Sequence, residues 1–296
     1  MYQSRFSRRV AEAFQQGNRL CVGIDPHRHL LDEWALPDSA AGAEVFGRTV
    51  LEAVAGSAGV LAVKPQVAFF ERFGASGYSA LETIFLDAKA AGVLCIADAK
   101  RGDVGSSFDA YAEAWLLPGG PLEADALTVN PLQGVGVLER AFELAHLHDK
   151  GVFVLAVTSN PEAEPILTAA TAEGDSVSNF LLEQIQGVNA GYQSKGVSDS
   201  DVANIGAVLG ATVRLEDYGV NLKLDEAQRV MPILAPGFGH QGGSVQGARE
   251  AFGDFFRGTI IAESRSVLAG SRTGLAGRIE SRIARLLDEL GDSNNE

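Results

Sequence analysis

The sequence predicts an α/β protein, a (β/α)8 TIM barrel with an extra helix at its N-terminus. Two observations predict this fold. Eight short apolar segments recur along the 296 residues, and amphipathic segments separate them. Most of the apolar segments are continuously apolar rather than alternating, which is typical of strands buried on both faces of a parallel sheet. Strand–helix alternation repeated eight times favours parallel pairing and closure into a barrel.

The predicted strands are the short, continuously apolar segments, and the predicted helices are the segments whose apolar residues recur with helical spacing. In chain order the strands cover residues 20–24, 60–63, 93–97, 126–129, 152–157, 203–209, 231–235 and 259–262. The helices cover 4–16 ahead of the first strand, then 40–55, 79–91, 108–116, 134–146, 176–189, 225–229, 245–252 and 273–290. The polar segment 189–201 is predicted to be a surface connection.

No Pro/Ser-rich linker or low-complexity segment divides the chain. Because a barrel of this kind commonly occupies ~250 residues as one domain, residues 1–296 are predicted to form a single domain. The polar residues 292–296 are predicted to be a frayed tail.

The composition is acidic, with 46% hydrophobic residues and a net charge of −14. Nucleic acid and anionic membranes attract proteins with clustered Lys and Arg, so neither is expected as a partner. Any anionic ligand would need positive charge concentrated at its own site. No apolar segment of about 18 residues is present, so no membrane-spanning helix is predicted. Cys21 and Cys95 lie in apolar segments and are predicted to be buried thiols, which suits a reducing cytoplasm.

The most informative segment is Asp98-Ala-Lys100-Arg-Gly-Asp103, directly after the predicted strand 93–97. Asp98 and Lys100 are two positions apart, so on a strand they would share a face. Charges at the end of a buried strand cost free energy unless they compensate one another or a ligand requires them. The segment therefore predicts either an ion pair that fixes a strand end or a functional charge cluster.

Polar residues also follow other predicted strands, among them Asp25, Lys64, Ser159 and Arg265. The carboxyl ends of all strands meet at one mouth of such a barrel, where catalysis occurs in this architecture. Two lysines among several carboxylates would stay cationic, because the neighbouring negative charges oppose the loss of their protons. Such an array can repel a departing carboxylate and can supply a proton where negative charge develops.

The Gly-rich segment 237–243 follows the seventh predicted strand. It is either a flexible loop or, together with Arg265 on the adjacent strand end, a cradle that binds phosphate through backbone N–H groups. Asp103, three residues past Lys100 at the start of the next helix, is predicted to reach across a subunit interface rather than into its own barrel.

The five histidines show no metal-binding spacing, so no metal site is predicted. His27 is interpreted as a solvated loop residue, although its place after Asp25-Pro26 would also let it line the mouth. Trp34 and Trp115 are interpreted as core or interface residues.

The chain resembles the orotidine 5′-phosphate decarboxylase family. The resemblance rests on the pattern Asp98-x-Lys100-x-x-Asp103 followed by Val104-Gly105, with Lys64, Gln241 and Arg265 in the same order along nearly the whole chain. The length and the segment after Lys64 look most like the longer bacterial subgroup, of the mycobacterial type.

The resemblance implies roles for the charged residues. Lys100 would donate a proton to C6 of the pyrimidine, and Asp98 would crowd the substrate carboxylate and hold Lys100. Lys64 would bridge Asp98 and the ribose hydroxyls, and Asp25 would bind the ribose. Asp103 would complete the network from the partner subunit of a homodimer with shared active sites.

The resemblance also implies substrate contacts. Ser107 stands where the family usually has Thr, so the hydroxyl is kept and the methyl group is lost. Ser159 matches the serine that reads the pyrimidine edge. Gln241 and Arg265 match the phosphate grip, with the backbone of Ser264 beside them. We expect the loop 237–244 to close over the phosphate, with its glycines as hinges.

The implied reaction converts orotidine 5′-monophosphate to uridine 5′-monophosphate and carbon dioxide, without a metal or an organic cofactor. One alternative is a Mg²⁺-dependent sugar-phosphate decarboxylase or synthase of the same barrel superfamily. Such relatives share the Asp-x-Lys-x-x-Asp pattern but have an acidic residue at the position that corresponds to Lys64. A lysine at that position would repel the cation. A second alternative is a non-catalytic nucleotide-binding barrel, which would gain nothing from charged pairs that lower stability.

Overall fold

Eight parallel strands form the centre of the protein, whose computed structural model describes residues 5–196, 200–225 and 227–291. The strands are β1 Leu20–Ile24, β2 Val60–Pro65, β3 Leu94–Arg101, β4 Ala126–Val129, β5 Gly151–Val157, β6 Ile205–Leu209, β7 Ile233–Pro236 and β8 Thr259–Glu263. Each strand pairs with the next along the chain, and β8 pairs with β1, so the sheet closes into a barrel. The predicted fold class is confirmed.

Helices surround the barrel and connect its strands. They are α1 Phe6–Gln15, α2 Arg28–Glu33, α3 Ala40–Ala55, α4 Ala68–Glu71, α5 Ala75–Ala90, α6 Gly105–Leu116, α7 Glu139–His148, α8 Glu164–Leu167, α9 Val177–Ser194, α10 Val245–Phe252, α11 Arg265–Leu268 and α12 Leu275–Gly291. Position 4 of the predicted leading helix and the predicted tail 292–296 lie outside the described residues. No helix in the described part of the chain is long and apolar enough to cross a membrane.

Two buried apolar clusters hold these layers together. One cluster fills the barrel, and every strand contributes to it, for example through Cys21, Ala62, Ile96, Ala126, Phe153, Val208, Leu234 and Ile260. The other, larger cluster joins the outer faces of the strands to the helices. Because a strand buried on both faces supplies apolar residues to both clusters, the strands are continuously apolar in sequence.

Helix α1 covers the end of the barrel at which the strands begin. Phe6 packs edge-on against Phe153 with the ring centroids 5.9 Å apart. A Cβ at Gly151, the first residue of β5, would lie 2.6 Å from the Phe6 ring, so a side chain there would displace the helix. The opposite end of the barrel, where the strands finish, stays available for a site.

Three sequence predictions need correction. Strand β3 does not end at residue 97 but continues to Arg101, which pairs with Val129 of β4. Helix α9 extends to Ser194, into the segment 189–201 predicted as a connection, and Tyr192 stacks on His146 of α7 with the ring centroids 3.5 Å apart. Residues 197–199 of that segment lie outside the described residues.

The third correction concerns the predicted helix 225–229. Its described residues, 225 and 227–229, are not helical. The Asp225 carboxylate accepts a hydrogen bond from the Ala227 N–H at 2.9 Å. A local side-chain acceptor of this kind competes with helix formation and favours a turn. In addition, the short helices α2, α4, α8 and α11 escape prediction because four to six residues carry too little periodicity.

Candidate active site

Asp98 is the centre of a buried hydrogen-bond cluster at the carboxyl end of the barrel. Its Oδ2 accepts hydrogen bonds from Lys64 Nζ at 2.8 Å and from Gln66 Nε2 at 3.0 Å. Its Oδ1 accepts from Lys100 Nζ at 2.6 Å and from Thr128 Oγ1 at 2.9 Å. Strands β2, β3 and β4 together therefore place two ammonium groups on one carboxylate.

Exposure distinguishes the two lysines. The side chain of Lys64 is 9% exposed, whereas that of Lys100 is 44% exposed. Lys100 can therefore meet a ligand at the mouth, while Lys64 lies beneath it.

A local irregularity in β3 sets the position of Lys100. The register between β3 and β4 shifts between Ala97 and Arg101, and Lys100 has a positive φ of 48°. Its backbone N–H donates to Thr128 Oγ1 at 3.0 Å. Positive φ is uncommon for a residue with a Cβ and often marks a functional position. The expected pairing of Asp98 with Lys100 is present, but it arises from this bulge rather than from regular strand alternation.

The charges of the cluster fix one another. Burial alone would lower the pKa of Lys64, but the carboxylates of Asp98 and Asp25 outweigh it and raise that pKa above its ordinary value. Burial alone would raise the pKa of Asp98, but Lys64 and Lys100 outweigh it and hold that pKa well below the usual range. Both groups are therefore charged at neutral pH. Beneath them, burial raises the pKa of Cys21 to about 12, so its thiol is neutral.

A cleft of about 110 Å³ adjoins this cluster between the ends of β1, β7 and β8. The predicted site residues that line it are Asp25, Lys64, Gln241, Ser264 and Arg265. Asp25 Oδ1 and Ser264 Oγ are buried and have no hydrogen-bond partner among the described residues. Buried polar atoms without partners cost free energy, so this cleft suits a ligand rich in hydrogen-bonding groups.

His27 also lines the cleft, so the structure favours a position at the mouth of the barrel over a solvated position in the loop. Its ring packs edge-on against Phe69 with the centroids 4.3 Å apart. Burial lowers the pKa of His27, so its imidazole is neutral at pH 7. Trp34 and Trp115 are core residues, 5% and 2% exposed.

The Gly-rich segment forms a compact loop beside Arg265. Gly239 has a φ of 65°, and a Cβ there would lie 2.6 Å from the Cβ of Ser266. The loop closes on itself through a hydrogen bond from the Gly243 N–H to the Gly237 carbonyl at 3.0 Å. Arg265 begins α11 directly after β8 and forms no ion pair with any described carboxylate. An uncompensated guanidinium beside this loop suits an anionic group.

Three predicted site residues lie apart from the cleft. The Asp103 carboxylate accepts a hydrogen bond from the Val104 N–H at 2.8 Å and, within the described chain, forms no hydrogen bond or ion pair with the Asp98 cluster. Ser107 is exposed on α6. Ser159 is exposed after β5 and lies against Gly210, where a Cβ would be 3.0 Å from the Ser159 Cβ. The single chain therefore brings together seven of the ten predicted residues around the cluster and the cleft: Asp25, Lys64, Asp98, Lys100, Gln241, Ser264 and Arg265.

Two residues that contact Asp98 were not predicted, namely Gln66 and Thr128. Gln66 lies just beyond β2, two positions after Lys64, so the same reasoning about polar residues at strand ends applies to it. Thr128 lies within the apolar strand β4 and is fully buried. The sequence offered one indication of its role, a single hydroxyl residue among Ala, Leu and Val. A buried hydroxyl requires a hydrogen-bond partner.

The fold and this site are typical of a (β/α)8-barrel enzyme. A charged cluster and a cleft suited to an anion lie at the carboxyl ends of the strands, where such enzymes have their active sites. The chain belongs to the Orotidine 5'-phosphate decarboxylase / HUMPS family, whose model matches residues 18–271. It is 42% identical over 268 residues to the Corynebacterium glutamicum (strain R) orotidine 5′-phosphate decarboxylase, with 89% of this chain and 90% of the relative covered. It is 44% identical over 264 residues to the Streptomyces coelicolor orotidine 5′-phosphate decarboxylase, with 89% of each chain covered.

Solved structures show the same similarity. A Streptomyces avermitilis structure assigned to orotidine 5′-phosphate decarboxylase superposes with a TM-score of 0.84 at 41% identity, covering 97% of this chain and 95% of that one. The Leishmania donovani OMP decarboxylase structure superposes with a TM-score of 0.68 at 25% identity, covering 94% and 96%. The predicted family is confirmed.

Proposed function

We propose that this protein is a carboxy-lyase that converts orotidine 5′-monophosphate to uridine 5′-monophosphate and carbon dioxide, a step of pyrimidine nucleotide synthesis. One observation carries the proposal. Asp98 lies between the ammonium groups of Lys64 and Lys100, directly beside a cleft that Arg265 lines. Family membership and relatives that carry this name support the same activity.

The cleft would bind the parts of the substrate that do not react. Arg265 and Gln241 would hold the phosphate, together with the backbone of Ser264. Asp25 would accept hydrogen bonds from the ribose hydroxyls, because its Oδ1 is buried without a partner among the described residues. Ser159 would read the pyrimidine edge. Binding energy from these remote contacts can position the reacting carbon and drive closure of the loop 237–244.

The charged cluster would act on the reacting carbon. When the bond between C6 and the carboxylate breaks, carbon dioxide leaves and the electron pair stays on C6. Asp98 would place its fixed negative charge near the departing carboxylate, which favours the loss of that group. The ammonium of Lys100 would stabilise the developing charge and then deliver a proton to C6. Lys64 would hold Asp98 in place from below.

The direct test is ultraviolet absorbance of orotidine 5′-monophosphate mixed with the purified protein. We expect a progressive spectral change to that of the product. Lys100→Ala should abolish decarboxylation, while binding of uridine 5′-monophosphate remains measurable. No spectral change at high concentration of the unaltered protein would reject the proposal.

The Mg²⁺-dependent alternative makes a different prediction. Asp98 already accepts four side-chain hydrogen bonds, two of them from ammonium groups that would repel a cation. We therefore expect full decarboxylase activity in the presence of a chelator. Activity that disappears with a chelator and returns with Mg²⁺ would favour the alternative.

The proposal extends to the assembly and the compartment. Asp103 and Ser107 would serve the active site of the partner in a homodimer, since both lie away from the cleft of their own chain. The whole chain would act as one barrel domain. Cys21 and Cys95 are buried unpaired thiols, which suits a cytoplasmic protein.

A further inference from the structure

A second pocket lies at the opposite end of the barrel, where the strands begin. Its volume is about 610 Å³, and three arginines line it: Arg19, Arg249 and Arg257. Arg19 directly precedes β1, and Arg257 lies just before β8. The catalytic cleft is built on the carboxyl ends of these same two strands, so the second pocket is a separate site.

The positive charge of this pocket is not compensated within the described chain. None of the three arginines forms an ion pair with a described carboxylate, whereas Arg72, Arg101 and Arg282 each form at least one elsewhere. The pocket contains one acidic residue, Asp254, whose Oδ2 accepts a hydrogen bond from the Leu224 N–H at 3.1 Å. Because the chain has a net charge of −14, its general composition does not explain why three arginines without ion-pair partners line one pocket.

Hydrogen-bond donors in the pocket are also unused. The Nε atoms of Arg249 and Arg257 are buried and have no partner among the described residues. Leaving a buried donor unpaired costs free energy, and the cost is larger for a charged group. An unsatisfied buried donor in a native protein calls for an explanation, and an anion bound beside the same guanidinium groups supplies one.

A purely structural role explains only one of the three arginines. Arg19 donates from Nη1 to the carbonyls of Arg257 at 3.1 Å and Thr259 at 2.9 Å, so it ties β1 to the segment before β8. Its guanidinium lies 4.5 Å from the Phe14 ring centroid, and that of Arg249 lies 4.7 Å from the Phe256 centroid. These contacts hold the groups in fixed positions. They do not supply the acceptors that Arg249 and Arg257 lack.

We propose that this pocket, which we call the arginine pocket, binds a small molecule that carries a diphosphate or triphosphate group. Guanidinium groups pair with phosphate oxygens through two parallel hydrogen bonds, and several held in place recognise a multiply charged anion. The volume exceeds what a single phosphate fills, so the remaining space suits either a longer phosphate chain or the organic part of a nucleotide. The inference does not depend on the proposed decarboxylase activity.

The test is isothermal titration at low ionic strength with two probes, inorganic pyrophosphate and adenosine triphosphate. We compare the unaltered protein with an Arg249→Gln/Arg257→Gln variant, which retains the catalytic cleft. The matched control is Arg140→Gln/Arg214→Gln, because both of those arginines lie outside the pocket and are already paired with carboxylates, Arg140 half-buried and Arg214 exposed. We expect the first variant to bind at least about tenfold more weakly at one site, since charged hydrogen bonds are lost. The control should bind as the unaltered protein does.

The two probes identify the source of the phosphate group. Equal affinity for both would assign recognition to the phosphate chain alone, and tighter binding of adenosine triphosphate would assign it to a nucleotide. A thermal unfolding scan gives a second measurement, because a ligand of the folded state raises Tm by mass action. Pyrophosphate should raise Tm of the unaltered protein more than that of the variant. Equal binding by both proteins, or no binding beyond the catalytic cleft, would overturn the proposal.

Discussion

Asp98 is the acidic side chain that contacts both Lys64 and Lys100 within the described chain. Its removal would deprive the buried Lys64 ammonium of its ion-pair partner, which is among the most destabilising changes a protein interior can undergo. The same carboxylate would act on the substrate. Stability and the proposed activity would therefore depend on one residue, and the pH dependence of stability offers a way to measure its contribution to stability separately.

We expect Asp98→Asn to lower the free energy of unfolding at pH 7 by about 3 kcal/mol, because one buried charge loses its partner. The pKa of Asp98 is depressed in the folded state, so its stabilising contribution is present above the unfolded pKa of about 3.9 and is lost as pH falls below it. Urea unfolding at pH 7, 5, 4 and 3 measures this. The difference between the two proteins should stay level down to about pH 5 and narrow below about pH 4. A difference that persists unchanged at pH 3 would contradict the ion-pair origin.

The buried hydroxyl of Thr128 joins the Lys100 backbone to the Asp98 carboxylate. Thr128→Val keeps the shape but leaves the Lys100 N–H and one Asp98 oxygen without this partner. We expect a loss of about 1–3 kcal/mol in the free energy of unfolding and a lower kcat, because the bulge that positions Lys100 is no longer held. Thr128→Ser keeps the hydroxyl and is the control, which should recover most of kcat. If both variants have the same kcat, the hydroxyl does not position Lys100.

Among the elements of the fold, the sequence predicts those with a strong period and misses those decided by tertiary contacts. Helices α3 and α10 have the predicted bounds, since each has a clear apolar stripe and follows a serine that caps it. Strand β3 extends four residues beyond its predicted end, because pairing of Arg101 with β4 outweighs the charge of the segment.

The candidate site shows the same division. Residues that lie at strand ends, such as Asp25, Lys64 and Arg265, were predictable because barrel topology alone gathers them at one mouth. Thr128 was not, since its role depends on a register shift in the neighbouring strand. In the proposed dimer, the positions of Asp103 and Ser107 relative to an active site would depend on a second subunit, which no spacing within one chain defines.

The loop between β7 and α10 offers a test at the scale of one element. Gly239 and Gly242 both have positive φ, but only at Gly239 would a Cβ meet another residue, with the Ser266 Cβ at 2.6 Å. Gly239→Ala should therefore displace the loop from α11 and raise KM for orotidine 5′-monophosphate by about tenfold, equivalent to about 1.4 kcal/mol. Gly242→Ala introduces backbone strain alone and is the matched control, with a smaller change in KM. Equal effects of the two substitutions would mean that the contact with Ser266 does not hold the loop.

At the scale of the whole molecule, charge is distributed unevenly. The chain has a net charge of −14, yet Lys64 and Arg265 line the candidate catalytic cleft at one end of the barrel, and three arginines line the arginine pocket at the other. A net negative charge disfavours the approach of polyanions such as nucleic acid, while under the two proposals the local positive charge would attract small phosphorylated molecules. Selectivity for small anions would then come from the concave sites rather than from overall charge.

The last prediction follows from the proposal that each active site of the dimer contains residues of both subunits. If Asp103 serves the neighbouring subunit, Lys100→Ala and Asp103→Ala remove residues of one site that come from two different chains. Each variant alone should be inactive or nearly so. When the two are co-expressed, a mixed dimer has one site that lacks both residues and one site that lacks neither, so about a quarter of all sites should be intact.

Co-expression of Lys100→Ala with Lys64→Ala is the control, because both residues come from the same chain and every site of a mixed dimer lacks one of them. Decarboxylase activity of the purified mixtures is the measurement, with sedimentation to verify that each mixture is dimeric. We expect activity to return only in the first mixture. If neither mixture regains activity although both are dimeric, Asp103 acts within its own chain, and the carboxylate must then move towards Lys100 when substrate binds.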